Sequence, residues 1–263
     1  MNLGLEGKVA LIAAASRGLG KAVALQLAKE GADIAICARG EEELGQTAAE
    51  IEERTGANVL AIPTDVTWAR EVNTLVEATG EQFGSIDILV TNAGGPPPGE
   101  FMEFTEGDWE TATRLTLLSA VHLCRAVIPI MQQQKEGSIL AMTSVSVKQP
   151  LPRLVLSNSL RLGVVGMIKT LAEELGPFGI RANAICPGWT RTSRVEQLLE
   201  DRADKNGTTP EEEASAITDD VPLRRMATPD EFAKAATFLV SPAASYITGE
   251  ILLVDGGLAR ATL

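Results

Sequence analysis

Short apolar runs alternate with helical stretches along almost the whole chain of 263 residues. The first unit shows the pattern: an apolar run at 8–12, a glycine-containing turn at 13–20, and a helical stretch that stops at Gly31. Strands that alternate with helices form parallel βαβ units with right-handed crossovers. The sequence therefore predicts one α/β domain over residues 1–263, a doubly wound parallel sheet with helices on both faces. We expect strands at 8–12, 33–38, 58–62, 87–90, 138–142, 180–185 and 251–254.

Helix signals fill the intervals between these strands. The longest predicted helices cover 41–55, 105–135 and 153–175, and Thr209 and Thr228 each precede a proline and, at the third helical position, a glutamate. This arrangement is typical of a helix start. Residues 193–221 are charged and without clear periodicity. We interpret 193–221 as an irregular substrate lid, since long loops in compact domains are usually functional.

Composition argues against several classes of protein. The balance of 23 basic and 35 acidic residues gives a net charge of −12, which disfavours binding to a nucleic-acid backbone. Cys37, Cys124 and Cys186 are scattered without metal-ligand spacing, so neither a metal site nor a disulfide is predicted. Long apolar runs and a secretory signal are not recognisable, and we expect a cytoplasmic protein with no membrane partner. His122 has apolar neighbours and is interpreted as a packed or interface residue.

The turn after the first strand is the first candidate ligand site. Backbone N–H groups at a helix start bind pyrophosphate well, which selects Ser16, Arg17, Gly18, Leu19 and Gly20. An acidic residue about twenty positions later would prefer the ribose of NAD, but the chain has Arg39 there. Two arginines favour a 2′-phosphate, so the sequence predicts NADP(H) over NAD(H). A turn without a ligand and arginines that only solvate the surface remain the alternatives.

Further short motifs follow in order along the chain. The turn is similar to TGxxxGxG, with Ala13 and Ala14 in place of the threonine and first glycine. Asp65 and Val66, then Asn92, Ala93 and Gly94, and then Pro187, Gly188, Thr190 and Thr192 complete the series. Together these motifs resemble those of the short-chain dehydrogenase/reductase superfamily, across nearly the whole chain. The resemblance implies a Rossmann-type fold, contacts from these residues to the dinucleotide, and hydride transfer between a nicotinamide and a carbonyl or alcohol.

The resemblance also implies a catalytic serine, tyrosine and lysine and a water-ordering asparagine. Ser144 matches the serine, and Thr116 takes the asparagine position. We assign the tyrosine and lysine positions to Leu156 and Leu160, as in a divergent subgroup labelled 3-oxoacyl-carrier-protein reductase-like. Tyr246, the single tyrosine, lies in a segment away from this site. The usual proton donor is therefore missing.

Two hypotheses for the reaction end remain open. In the first, Ser144 and Arg161 stabilise the developing alkoxide and water supplies the proton. In the second, Ser144 is vestigial, Arg161 is structural, and the protein is a dinucleotide-binding scaffold without turnover. The helix that follows Leu160 is apolar on more than one face, which predicts burial all round. With residues 105–135 it resembles the family's interface, so we expect a homodimer or homotetramer with a small-molecule substrate.

Overall fold

The computed structural model describes residues 2–261, in which seven strands form a single parallel sheet in the order β3-β2-β1-β4-β5-β6-β7. The doubly wound fold predicted from the sequence is confirmed, and each predicted strand is present, β2 and β7 with the predicted ends and the others with slightly different ends. The strands are β1 Val9–Ala13, β2 Asp33–Ala38, β3 Val59–Pro63, β4 Ile88–Thr91, β5 Gly137–Met142, β6 Ile180–Pro187 and β7 Ile251–Val254. β1 is buried along its whole length, as a central parallel strand covered on both faces must be.

Helices cover both faces of the sheet. They are α1 Gly18–Lys29, α2 Glu41–Thr55, α3 Ala69–Phe83, α4 Glu106–Thr113, α5 Ser119–Gln134, α6 Val155–Leu175, α7 Ser193–Asn206, α8 Pro210–Thr218 and α9 Pro229–Val240. One apolar cluster holds α3, α5 and α6 on one face, where Leu75, Leu123 and Ile168 have no exposed surface. A second cluster packs α1, α2 and α9 on the other face, around Leu27 and Phe232.

The predicted long helix at 105–135 is α4 and α5 joined by one π-helical turn, Arg114–Leu118. Thr105 caps it as expected, accepting a hydrogen bond from the Asp108 amide while Asp108 bonds back to the Thr105 amide. By length and composition, Glu106–Gln134 could cross a membrane. Its inner face packs on the sheet, because Val127 and Met131 have no exposed surface, as in a core helix of a globular protein.

The segment 193–221 is not irregular, so that part of the sequence prediction is wrong. It forms a helical pair, α7 and α8, and the Thr209–Glu212 capping box starts α8. Thr192 caps α7 by accepting a hydrogen bond from the Val195 amide. Leu199 and Ile217 are buried between the pair and the rest of the domain. The segment has too few apolar residues among its charged ones to show the hydrophobic periodicity of a helix.

Candidate functional site

The candidate site lies at the carboxyl edge of the sheet, where β1 and β4 are neighbours although β2 and β3 separate them in sequence. The chain winds away from β1 in both directions at this point. Ligands of open α/β sheets bind in the crevice that such a reversal creates. The turn after β1, the loop after β4 and the segments after β5 and β6 all line the crevice.

The turn between β1 and α1 has the geometry of a phosphate cradle. Gly18 adopts φ +59° as the first residue of α1, and the N-cap residue Arg17 forms no side-chain cap; the first turn of the helix has no acidic residue. Its first N–H donors are therefore open to an anion. A Cβ atom on Gly20 would collide with the Ala14 carbonyl, so the helix packs there only because Gly20 has no side chain. The predicted residues Ser16 and Leu19 lie in the same turn.

Ala14 stands where the family motif has a glycine, and the structure shows what that position requires. Its φ of +49° lies in the left-handed region, which costs a residue with a Cβ atom about 1–2 kcal/mol. The chain therefore retains the backbone shape of a glycine turn without the glycine. The turn keeps its shape, and Ala14, next to the phosphate cradle, bears the backbone strain.

The two predicted ribose arginines are on the loops after β1 and β2, which are adjacent strands. Arg17 and Arg39 are both exposed. Glu43, at the start of α2, approaches both parts of the turn: its carboxylate accepts a hydrogen bond from Ser16 Oγ at 2.9 Å and lies 3.9 Å from Arg17 Nη1. A carboxylate beside Arg17 was not anticipated from the sequence. It opposes the positive charge that a 2′-phosphate would need.

The motifs after β3 and β4 are in the crevice, with different roles. Asp65 is partly exposed and its carboxylate accepts the Thr67 amide at 3.0 Å, whereas Val66 is buried and offers only backbone. The Val66 carbonyl lies 3.3 Å from His122 Nδ1, which places the single histidine in packing. Asn92 Nδ2 donates to the Ala14 carbonyl at 3.4 Å, joining the end of β4 to the cradle. Ala93 and Gly94 continue that loop.

The segment after β6 closes the crevice from the other side. Gly188 approaches Asp255 so closely that a Cβ atom would lie 2.7 Å from the Asp255 Cα. Pro187 ends β6, and Thr190 is buried with a hydroxyl that has no hydrogen-bond partner within residues 2–261. The Thr192 methyl would lie 3.8 Å from a Cβ atom on Gly18, so this segment touches the phosphate cradle. The donors and glycines present thus fit a dinucleotide.

Arg161 is the most densely bonded side chain at the reaction end. Its Nη1 donates to the carbonyls of Met142 and Thr143 at 3.2 and 2.9 Å, and its Nη2 donates to the Gly94 carbonyl at 2.6 Å. Its Nε donates to Ser157 Oγ at 3.1 Å. Burial, and then the nearby charge of Arg194, lowers the pKa of Arg161 to about 10. The guanidinium therefore stays charged at neutral pH and ties the end of β5 to the loop after β4.

The side chains of α6 that face this site differ from those expected. Leu156 has no exposed surface and lies in the protein interior, while Ser157, the next residue, bonds to Arg161 one turn on. Because residues four apart share a helix face, the pair that faces the ends of β4 and β5 is Ser157 and Arg161, rather than Leu156 and Leu160. Asn158, the next residue of α6, bonds to the backbone of Leu151 instead.

Ser144 lies directly after the last bonds of β5 and is partly exposed. Its Oγ accepts the Ser146 amide at 3.1 Å, which leaves its hydroxyl hydrogen available as a donor. Tyr246 is fully exposed, so no phenol reaches the site. The reaction end thus offers a serine at the β5 end, a second serine on α6 and a charged guanidinium.

A small pocket adjoins Arg161. It measures about 10 Å³ and is lined by Asn92, Gly94, Thr116 and Arg161 among others. The Thr116 hydroxyl, in the π-helical turn, is buried and has no hydrogen-bond partner in the described part of the chain. A polar space of about this size holds one water molecule. Thr116 thus keeps a polar group at the position where the resemblance implies an asparagine.

Arg194 belongs to the site although the sequence reading placed it only within a solvated lid. It is the second residue of α7, and its Nη2 lies 3.5 and 3.4 Å from the carbonyls of Gly95 and Pro96. Nothing in its local sequence distinguished it from the other charged residues of 193–221. Only the folding of α7 against the loop after β4 brings it to Arg161.

Comparison with known proteins supports the reading of the fold and motifs. The family profile described as Enoyl-(Acyl carrier protein) reductase matches residues 13–259. The chain belongs to the short-chain dehydrogenase/reductase superfamily. The dehydrogenase/reductase SDR family member 4 of Sus scrofa is 34% identical over 256 residues, covering 97% of this chain and 88% of that protein.

Other members of the superfamily are equally similar. The 3-oxoacyl-acyl-carrier-protein reductase FabG of Thermotoga maritima is 34% identical over 254 residues, covering 97% of this chain and 98% of that protein. Among solved structures, L-sorbose reductase of Gluconobacter frateurii, complexed with NADPH and L-sorbose, has a TM-score of 0.96 at 34% identity and covers 99% of this chain and 100% of its own. Actinorhodin polyketide ketoreductase with NADPH has a TM-score of 0.92 at 34% identity, with coverage of 96% and 97%.

Proposed function

We propose that this short-chain dehydrogenase/reductase transfers hydride between NADP(H) and a carbonyl or alcohol substrate with altered acid–base residues. The proposal rests on the Arg161 guanidinium, which lies at the ends of β4 and β5 and bonds to the carbonyl of Thr143, the residue before Ser144. The relatives solved with NADPH support the choice of cofactor. The open amides of the cradle, with Gly18 and Gly20, would hold its pyrophosphate, and Arg17 and Arg39 its 2′-phosphate.

The residues at the reaction end would act by electrostatics rather than by donating a phenolic proton. The bound nicotinamide would supply or accept the hydride. Ser144 and Arg161 would hydrogen-bond the substrate oxygen where negative charge develops, an effect typically worth about 3–4 kcal/mol per donor in other enzymes. Arg161 has five N–H groups, of which four are already bonded, so one remains for this purpose. Arg161 does not release a proton at neutral pH, so water supplies it, and the space beside Thr116 offers a place for that water.

We infer that Ser157 and Arg161 take the places of the usual tyrosine and lysine. The double variant Ser157→Tyr with Arg161→Lys then rebuilds the ordinary pair on the correct helix face. General acid assistance is worth about 10² to 10⁴ in rate, so NADPH oxidation on a panel of ketones and aldehydes should rise by that order. Leu160→Lys, on a neighbouring helix position, is the matched control and should gain nothing. Correctly folded double variants without gain would contradict the assignment.

A second candidate is a dinucleotide-binding scaffold without turnover. It is favoured by Tyr246, the single tyrosine of the chain, being fully exposed. NADPH binding measured by fluorescence, followed by its oxidation on the same panel, separates the two. Binding without oxidation in the wild-type protein, combined with a gain of activity in the double variant, selects the scaffold. Lack of NADPH binding removes both candidates.

We also propose a cytoplasmic homo-oligomer, assembled through the outer faces of α5 and α6. Leu162 on α6 is 50% exposed, and apolar residues such as Ala126 and Ile130 on α5 are only partly buried within the single chain. The three cysteines are free and buried, in keeping with a reducing compartment. Light scattering that gives a monomer mass would contradict the assembly. The helical pair α7 and α8 is proposed as the substrate lid.

A further inference from the structure

Arg161 and Arg194 converge on one point of the site. A Cβ atom built on Gly95 would lie 2.9 and 3.1 Å from the two terminal nitrogens of Arg194 and 3.3 Å from Nη2 of Arg161. The backbone conformation at position 95 does not require a glycine, since its φ lies outside the left-handed region. A side chain at this position would collide with both groups, so Gly95 allows the guanidinium groups of two different elements, α6 and α7, to come together at the loop after β4.

No carboxylate neutralises this pair within residues 2–261. Neither arginine takes part in a salt bridge there, although the protein as a whole has 35 acidic residues against 23 basic ones. Their bonds go to backbone carbonyls and to one serine hydroxyl. Lys148, in the segment after β5, adds a third positive charge on this side, since it and Arg161 both act on the Cys186 thiol.

Two like charges held together without a counterion are costly unless an anion joins them. The charge of Arg194 contributes to the lowered pKa of Arg161, which is the direct sign of their repulsion. Arg194 makes only long contacts, and its guanidinium is mostly free to bind another group. An oxyanion bound to Arg194 would turn the repulsion into attraction. Arg194 would donate charge-assisted hydrogen bonds from its planar fork, and the charge of Arg161 would add to the attraction while its remaining N–H group serves the substrate carbonyl.

We propose that Arg194, held beside Arg161 at Gly95, binds a carboxylate of the substrate and that the charge of Arg161 strengthens this anion site, so that the preferred carbonyl compound is an oxo acid. This inference rests on the proposed function for its placement beside the reacting carbonyl. Because Arg194 lies on the proposed lid, the same bond would hold α7 against the loop after β4. The acidic group would then both select the substrate and keep the site closed.

The first experiment measures binding without turnover. Calorimetry follows levulinate and inorganic phosphate added to the wild-type protein with saturating NADP⁺, which has no hydride to transfer to the oxo acid. The same titrations are run on Arg194→Met and on Gly95→Ala, whose methyl group would push the two guanidinium groups apart and should also weaken binding. Hydrogen bonds to charged groups are worth about 1.5–3 kcal/mol, so Arg194→Met should weaken levulinate binding about 10- to 150-fold. Lys205→Met removes a charge from the far end of the same helix and should change nothing.

The second experiment compares oxo acids with their methyl esters, which differ only in charge. The wild-type protein should prefer levulinate over methyl levulinate in kcat/KM, and Arg194→Met should lose that preference mainly through KM. The site is excluded if wild-type protein binds neither anion more tightly than Arg194→Met. A more than tenfold loss of NADPH affinity in Arg194→Met would assign the pair to the cofactor and overturn the substrate reading. Anion binding without any turnover would instead refute the proposed function and leave the site intact.

Discussion

Replacing Arg161 by methionine tests whether one guanidinium holds the reaction end together. The change keeps a long flexible side chain but removes the bonds to the carbonyls of Gly94, Met142 and Thr143 and to Ser157. The carbonyl of Gly94 lies in an exposed loop and can turn to water, whereas Met142 and Thr143 are 6% and 4% exposed. A buried polar group left unpaired costs about 1–3 kcal/mol.

Leaving two such carbonyls unpaired should lower the free energy of unfolding by about 2–4 kcal/mol, once the gain from no longer burying a charged group is subtracted. At about 2–4 °C per kcal/mol for a chain of this size, the midpoint of thermal unfolding should fall by roughly 4–16 °C. The unfolding midpoint of Arg161→Lys should fall by about half as much, because the lysine ammonium group is a point donor without the planar fork of a guanidinium. The assay is thermal unfolding followed by circular dichroism at pH 7.

Arg70→Met is the matched control for this experiment. Arg70 is exposed at the start of α3 and forms no salt bridge within the described residues, so its loss should stay within about 0.5 kcal/mol. If Arg161→Met unfolds at the same temperature as Arg70→Met, the bonds to the buried carbonyls contribute nothing to stability. The account of Arg161 as the tie between β4 and β5 would then be refuted.

Three further predictions concern other parts of the molecule. Glu43→Gln removes the carboxylate beside Arg17, so the affinity for NADPH measured by fluorescence should increase several-fold. The control Glu53→Gln, at the other end of α2, should leave that affinity unchanged. If Glu43→Gln and wild type bind NADPH equally well, Glu43 does not oppose the 2′-phosphate. Hydrogen bonds from Arg225 and from the Thr228 backbone lower the pKa of Glu231 to about 2. The ionised carboxylate therefore stabilises the fold above pH 4.5, and this contribution is lost as the pH falls toward 2. The difference in unfolding temperature between wild type and Glu231→Gln should vanish across that pH range, and a constant difference would contradict the assignment. Ala14→Gly should be at least as stable as wild type in thermal unfolding, since relief of the left-handed φ offsets the added freedom of the unfolded chain. If the free energy of unfolding instead falls by about 1 kcal/mol, as it does for Ala→Gly in a helix, Ala14 is unstrained.

The sequence alone determined the sheet, its helices and the order of the dinucleotide motifs. These features follow from local rules: apolar runs of strand length, helix caps such as Thr105 and Thr228, and glycines at turns. The capping side chains and the amides they bond lie within three residues of each other, so spacing in the sequence is enough to find them. Even so, the charged segment 193–221 escaped this reading, since its helices have only a few buried residues.

The reaction end was decided by tertiary structure. A shift of one residue on a helix turns a side chain by about 100°, so only the packing of α6 against β5 shows that Ser157 and Arg161 face the cleft while Leu156 is in the core. Glu43 reaches Ser16 and Arg17 because adjacent loops of the sheet bring it there. Arg161 and Arg194 meet because α7 folds back over the loop after β4. Charges far apart in the chain have no shared local signal, and the fold alone determines which of them act together.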